Sequence, residues 1–210
     1  MPERQVGVER MARDPLPVAG VVLFVLSALF MTVIMLGASM VPGYDMSSAA
    51  ISDLGVAGQT AVLFNGTLIV VGILDAIAGY LLYRWHRRRS TLVVFVLAGA
   101  GAIGAGVFSL DRGGLHSLFA LVGFLFFNIE ALVVARLVRG PIRAVSLVAG
   151  TLGLAFVVLM ILGDAGNEAA FGPIGHGGTE RMIVYPPMVW MLALGGWLMA
   201  QRPAADPAPS

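Results

Sequence analysis

Two sets of polar side chains interrupt an otherwise apolar chain of 210 residues, and their types are those that do chemistry. The first set sits in or beside the connecting segments. Ser52 offers a nucleophile, His116 a base and Asp111 a carboxylate, the residue types of a hydrolase triad. Such a triad is recognised by geometry rather than chain order. No G-x-S-x-G elbow is present, so the sequence permits the triad without requiring it. Asp53, Asn65, His176, Glu180, Arg181 and Tyr185 extend the set as candidates for ligand binding. Arg181 suits a phosphate-bearing headgroup, because a guanidinium donates in pairs to phosphate oxygens. Asp111, His116 and His176 offer enough donors for zinc but lack the H-E-x-x-H spacing, so no metal and no cofactor is expected. Each residue also has a structural reading. Ser47 or Ser48 suits an N-cap, Asp111 a turn cap, Glu180 and Arg181 a salt bridge, and His176 an ordinary loop position.

The second set is intramembrane. Asp75 and Glu130, with Asn128 near the latter, fall within apolar runs. A carboxyl group inside a bilayer needs a partner or a function. Two readings stand: a proton or cation relay, or ion pairs with Arg84, Arg136 or Arg139 reaching in from the adjacent loops. Asp75 shares a helical face with Gly72 and Gly79, so it points toward a packed neighbour.

The elements that must position these residues are membrane helices. The chain is 58% hydrophobic and 12% charged, against about 25% charged in soluble domains. Apolar runs cover 18–40, 61–83, 91–110, 117–137, 144–163 and 182–200, each near the ~20 residues that span a bilayer. The fold class expected is all-α, with six transmembrane helices over 18–200. A cytoplasmic segment over 1–17 precedes them and a disordered Pro-rich tail over 201–210 follows. The first run is too long for a signal peptide and is read as a retained helix. Between the first two runs, Ser47 to Gly55 reads as a short interfacial helical turn with Ile51 and Leu54 inward.

Gly99 to Gly104 matches G-x-G-x-x-G, but it lies inside an apolar span with no strand before it. Its small residues suit close helix packing instead, which makes the third helix the tightly packed one. Net charge is +1, so no nucleic-acid partner is expected, and there is no Cys for thiolate chemistry. Eleven of the thirteen Arg residues fall in the termini and the second and fourth loops. That asymmetry predicts both termini in the cytoplasm of a plasma-membrane protein. Membrane lipids are the expected partners. Trp85, Trp190, Trp197, Tyr83 and Tyr185 read as interfacial anchors or packing residues.

The motifs together form a recognisable series. Ser52-Asp53-Leu54-Gly55, then Asn65, then Gly106-x-Phe108-x-x-Asp111 with His116, then Glu180-Arg181-x-x-x-Tyr185-Pro186-x-x-x-Trp190 resemble the bacterial and archaeal domain-of-unknown-function 998 family. Ser109 stands where that pattern leads one to expect Pro. The resemblance implies a six-helix membrane fold and no particular activity. The family is in turn similar to eukaryotic six-helix proteins linked with lipid-anchor remodelling and autophagy. The functional expectation is an accessory protein holding a lipid headgroup or small polar ligand on the extracytoplasmic side. The alternatives are a lipid hydrolase using the same residues and a small proton-coupled transporter using Asp75 and Glu130.

Overall fold

A computed structural model describes residues 15–201. The proposed terminal segments, and with them Arg4, Arg10, Arg13 and Arg202, lie outside the described residues. Six helices are long and apolar enough to cross a membrane, and no strand occurs among the described residues. They are α1 (Pro15–Met40), α2 (Ala61–His86), α3 (Arg89–Val107), α4 (Gly114–Val134), α5 (Pro141–Asp164) and α6 (Gly175–Met199). Each packs on its neighbours in chain order, and α1 also packs on α6, so the bundle closes into a ring. We call the face carrying the α1–α2, α3–α4 and α5–α6 connections the distal face.

Local chemistry sets the ends. α5 opens on Pro141, whose missing N–H costs nothing in a first helical turn. α2 closes on Arg87, held left-handed at φ +61° while its N–H bonds to Tyr83. His86 completes that turn by accepting the Arg88 N–H at its Nδ1, 3.0 Å away. α3 and α4 form the expected antiparallel hairpin, turning through Leu110–Arg112 and Gly113 at φ +59°.

α3 is the tightly packed helix that its small residues predict. Gly99 lies against the Gly72 carbonyl of α2, and Gly101 against the Gly123 backbone of α4. A Cβ on Gly101 would collide with backbone that has nowhere to move. Outward faces stay apolar, with Val62, Val148 and Val158 all exposed, as a lipid-facing surface requires. The aromatic anchors divide. Trp190 is fully buried and donates its Nε1–H to Ser146 Oγ at 2.7 Å, so it pins α6 to α5 rather than marking an interface.

α6 begins seven residues before the apolar run that announced it. Its first turns are Gly-rich and polar, which hydropathy cannot distinguish from a loop. The helix nevertheless forms because its free N–H groups find an acceptor: Gly177 N–H bonds to the Ser47 carbonyl at 2.9 Å.

Candidate functional site

The distal site is assembled on the segment from Tyr44 to Gly55. Asp45 starts it by accepting the Ser47 N–H at 2.9 Å and the Ser47 and Ser48 hydroxyls. These hydrogen bonds hold its carboxyl below the usual aspartate range. Ser47 and Ser48 therefore serve Asp45 and cap no helix, contrary to the N-cap expectation. Ile51–Gly55 forms the short helical turn foreseen, with Ile51 and Leu54 buried. Asp53 accepts the Ala50 N–H at 2.8 Å and closes its first turn. Asn65 donates to the Gly55 carbonyl at 2.8 Å and closes its last.

Glu180 and Arg181 lock this segment to α6, and they do so separately. The Glu180 carboxylate accepts the Ile51 N–H and lies beside that of Ser52. Arg181 Nη1 donates to the carbonyls of Met46, Ala49 and Gly177 at 2.8–2.9 Å. Its Nη2 donates to the Tyr44 hydroxyl at 2.7 Å, and that hydroxyl donates in turn to the Ala50 carbonyl. Burial raises the Tyr44 pKa against the opposing pull of Arg181. The salt bridge between Glu180 and Arg181 does not form, because each group has better-placed backbone partners.

Two adjoining cavities lie beside this lock, of 440 and 60 Å³. Ser52, His116 and Glu180 line both, as do Ala120, Phe124 and Ile183. The larger cavity continues between α4 and α5 over Val157 and Met160. Its rim includes Leu121 and Ile161, exposed at 41% and 49% on the lipid-facing surface. The smaller cavity is almost wholly apolar and descends to Asn128 and Pro187. Asn128 donates to the Ile183 carbonyl at 3.1 Å. That carbonyl is the one Pro187 leaves without its helical N–H, so the pair settles a proline inside a spanning helix.

His116 is oriented with one nitrogen committed. Its Nδ1 lies 2.8 Å from the Phe108 carbonyl and 3.2 Å from that of Ala105. Both partners are acceptors, so Nδ1 carries a proton, and in the neutral ring Nε2 keeps its lone pair. Nε2 makes no hydrogen bond among the described residues, and neither does Ser52 Oγ. Asp111 is absent from this arrangement. It is exposed and bonded at 2.5 Å to Ser109 Oγ, which holds its pKa down. Ser109, in place of the expected Pro, thus closes the α3–α4 turn itself.

The candidates therefore separate. Ser52, His116 and Glu180 share the cavity walls, and His176 borders the larger cavity while lying 3.3 Å from Asp164. Asp53, Asn65 and Arg181 support the segment behind the cavity, Tyr185 packs at the edge of the apolar core, and Asp111 caps a turn. No group of three or more His, Asp or Glu side chains gathers as a metal site among the described residues, so Asp111, His116 and His176 do not converge.

The intramembrane acids come together where no sequence spacing placed them. Asp75 and Glu130 are fully buried, and their carboxyl groups are neighbours across the bundle. Neither forms the ion pair expected with Arg84, Arg136 or Arg139. Arg84, Arg136 and Arg139 are exposed, whereas both acids are fully buried.

No curated protein and no solved structure matches this chain. The profile of the DUF998 family, described as a protein of unknown function, matches residues 18–197, and the chain belongs to that family.

Proposed function

We propose that the cavity between α4 and α5 binds the polar end of a membrane lipid or similar amphiphile. One observation carries the reading. The cavity is polar at its distal end, with Ser52, His116 and Glu180, and apolar beyond, with Phe124, Val157 and Met160. Its rim is exposed on the side that lipid would cover, at Leu121 and Ile161. The polar groups facing the cavity are the Ser52 hydroxyl, the His116 imidazole and the Glu180 carboxyl, which also accepts the Ile51 N–H. They suit a headgroup that donates hydrogen bonds, such as an amine or a hydroxyl. Arg181 favours no phosphate there, because its terminal nitrogens are engaged by carbonyls and a phenol. The Arg asymmetry of the sequence supports placing this distal face outside the cytoplasm, in the outer leaflet of a plasma membrane.

Native mass spectrometry tests the binding, with phosphatidylethanolamine added back in excess. Wild type is expected to retain the lipid. Ala120→Trp, which places a ring in both cavities, is expected to lower its occupancy at least about 10-fold, the effect of ~1.4 kcal/mol. Ser52→Ala is expected to weaken binding about 5-fold, the loss of one hydrogen bond of ~1 kcal/mol. Equal lipid occupancy in wild type and Ala120→Trp, or none in either, would overturn the proposal.

A second reading, hydrolysis of the bound lipid, draws on the orientation of His116. Its free Nε2 and the Ser52 hydroxyl border one cavity, as a base and nucleophile would. No hydrogen bond joins the two, and no carboxylate orients His116. Loss of all turnover in Ser52→Ala, beyond weakened binding, would favour this reading.

A further inference from the structure

Asp75 on α2 and Glu130 on α4 bring two carboxyl groups together inside the bundle. Both side chains are fully buried, and their carboxyl groups lie within hydrogen-bonding reach of each other. None of their four oxygens receives a hydrogen bond from any other described group. No other titratable side chain, from α1, α3, α5 or α6, acts on either carboxyl. Polar atoms with such surroundings are rare in native proteins, where buried acceptors almost always find donors.

The missing partner has to be small. Two ionised carboxylates in contact repel strongly where the medium polarises weakly. A metal ion would need further ligands, and no third His, Asp or Glu gathers with this pair. Neither Asp75 nor Glu130 lines the two cavities described above. A proton needs no cavity. Two carboxyl groups attract once a proton lies between them, one donating its O–H and the other accepting.

We propose that Asp75 and Glu130 form a proton-binding site, in which one shared proton joins α2 to α4 inside the membrane. When the proton leaves, two like charges remain in contact, and α2 and α4 must separate or admit water. Protonation and the spacing of these two helices, each of which packs on α3, are therefore linked, and the linkage acts in both directions. This coupling is what proton-linked movement across a membrane requires. The inference does not rest on the distal cavity, which shares no lining residue with the pair.

Infrared spectroscopy of the full chain in lipid nanodiscs tests it directly. Wild type at neutral pH is expected to show a protonated-carboxyl band that moves on deuterium exchange. The isosteric double variant Asp75→Asn/Glu130→Gln is expected to lose that band, since its paired amides can bond without a shared proton. If the double variant does not fold, Glu130→Gln alone serves, because a carboxyl–amide pair must shift the band's frequency. A spectrum without the band in wild type, or one unchanged in the variants, would overturn the proposal.

Discussion

Arg181 shows how a single residue can hold a connection together. Its guanidinium satisfies four acceptors contributed by the Tyr44–Ala49 segment and the first turns of α6. Hydrogen bonds to charged groups contribute about 1.5–3 kcal/mol each, and they are not additive. Lys carries the same charge on a point donor that cannot span these positions. Arg181→Lys is expected to destabilise the protein by about 3 kcal/mol, read from thermal unfolding in detergent, with lipid occupancy of the folded fraction retained. At this scale the sequence was legible in residue type alone. Glu180 and Arg181 are recognisable as costly groups near a helix end. Three of the four partners of Arg181 lie 132 to 137 positions away in the chain, and no local pattern reports such a contact. The engagement of Asp111 with Ser109 is local, two residues apart, and the turn-cap reading anticipated it, although a carboxylate near a histidine reads equally as a triad member.

The helices depend on where glycine is required and where it is merely present. Gly101 and Gly66 separate the two cases. Gly101 faces the Gly123 backbone, whereas a Cβ on Gly66 of α2 would meet nothing. Gly101→Ala is expected to cost about 1–3 kcal/mol through overpacking. Gly66→Ala is expected to stabilise by about 0.5–1 kcal/mol, because alanine loses less backbone freedom in a helix. Chemical unfolding of the two variants in one detergent checks the contrast, and equal effects would contradict the packing of α3 described above. Six elements were legible because hydropathy is a local property. The first turns of α6 were not, because their polar residues are helical only by docking on the Ser47 carbonyl. The packing role of α3 was legible because small residues cluster along it, although its partner positions were not.

The whole molecule is a closed ring of six spanning helices with two polar regions at different depths. The distal cavity opens between α4 and α5, and the Asp75–Glu130 pair lies inside the bundle, joining α2 to α4. The sequence indicated both regions, since polar residues in apolar runs are conspicuous. It did not indicate that Ser52, His116 and Glu180 share a wall while Asp53, Asn65 and Arg181 stand behind it. It also favoured arginine partners for the buried acids, because the basic loops are near in sequence. Closure of the ring fixes these relations, and closure depends on long-range contacts. The central claim is that the α4–α5 cavity holds an amphiphile by its polar end. An experimental structure in lipid nanodiscs, with a bound antibody fragment for alignment, tests this most directly. The account predicts elongated density entering between Leu121 and Ile161, its polar end within hydrogen-bonding distance of His116 Nε2. A cavity containing only water, or one closed by the approach of α4 to α5, would contradict it.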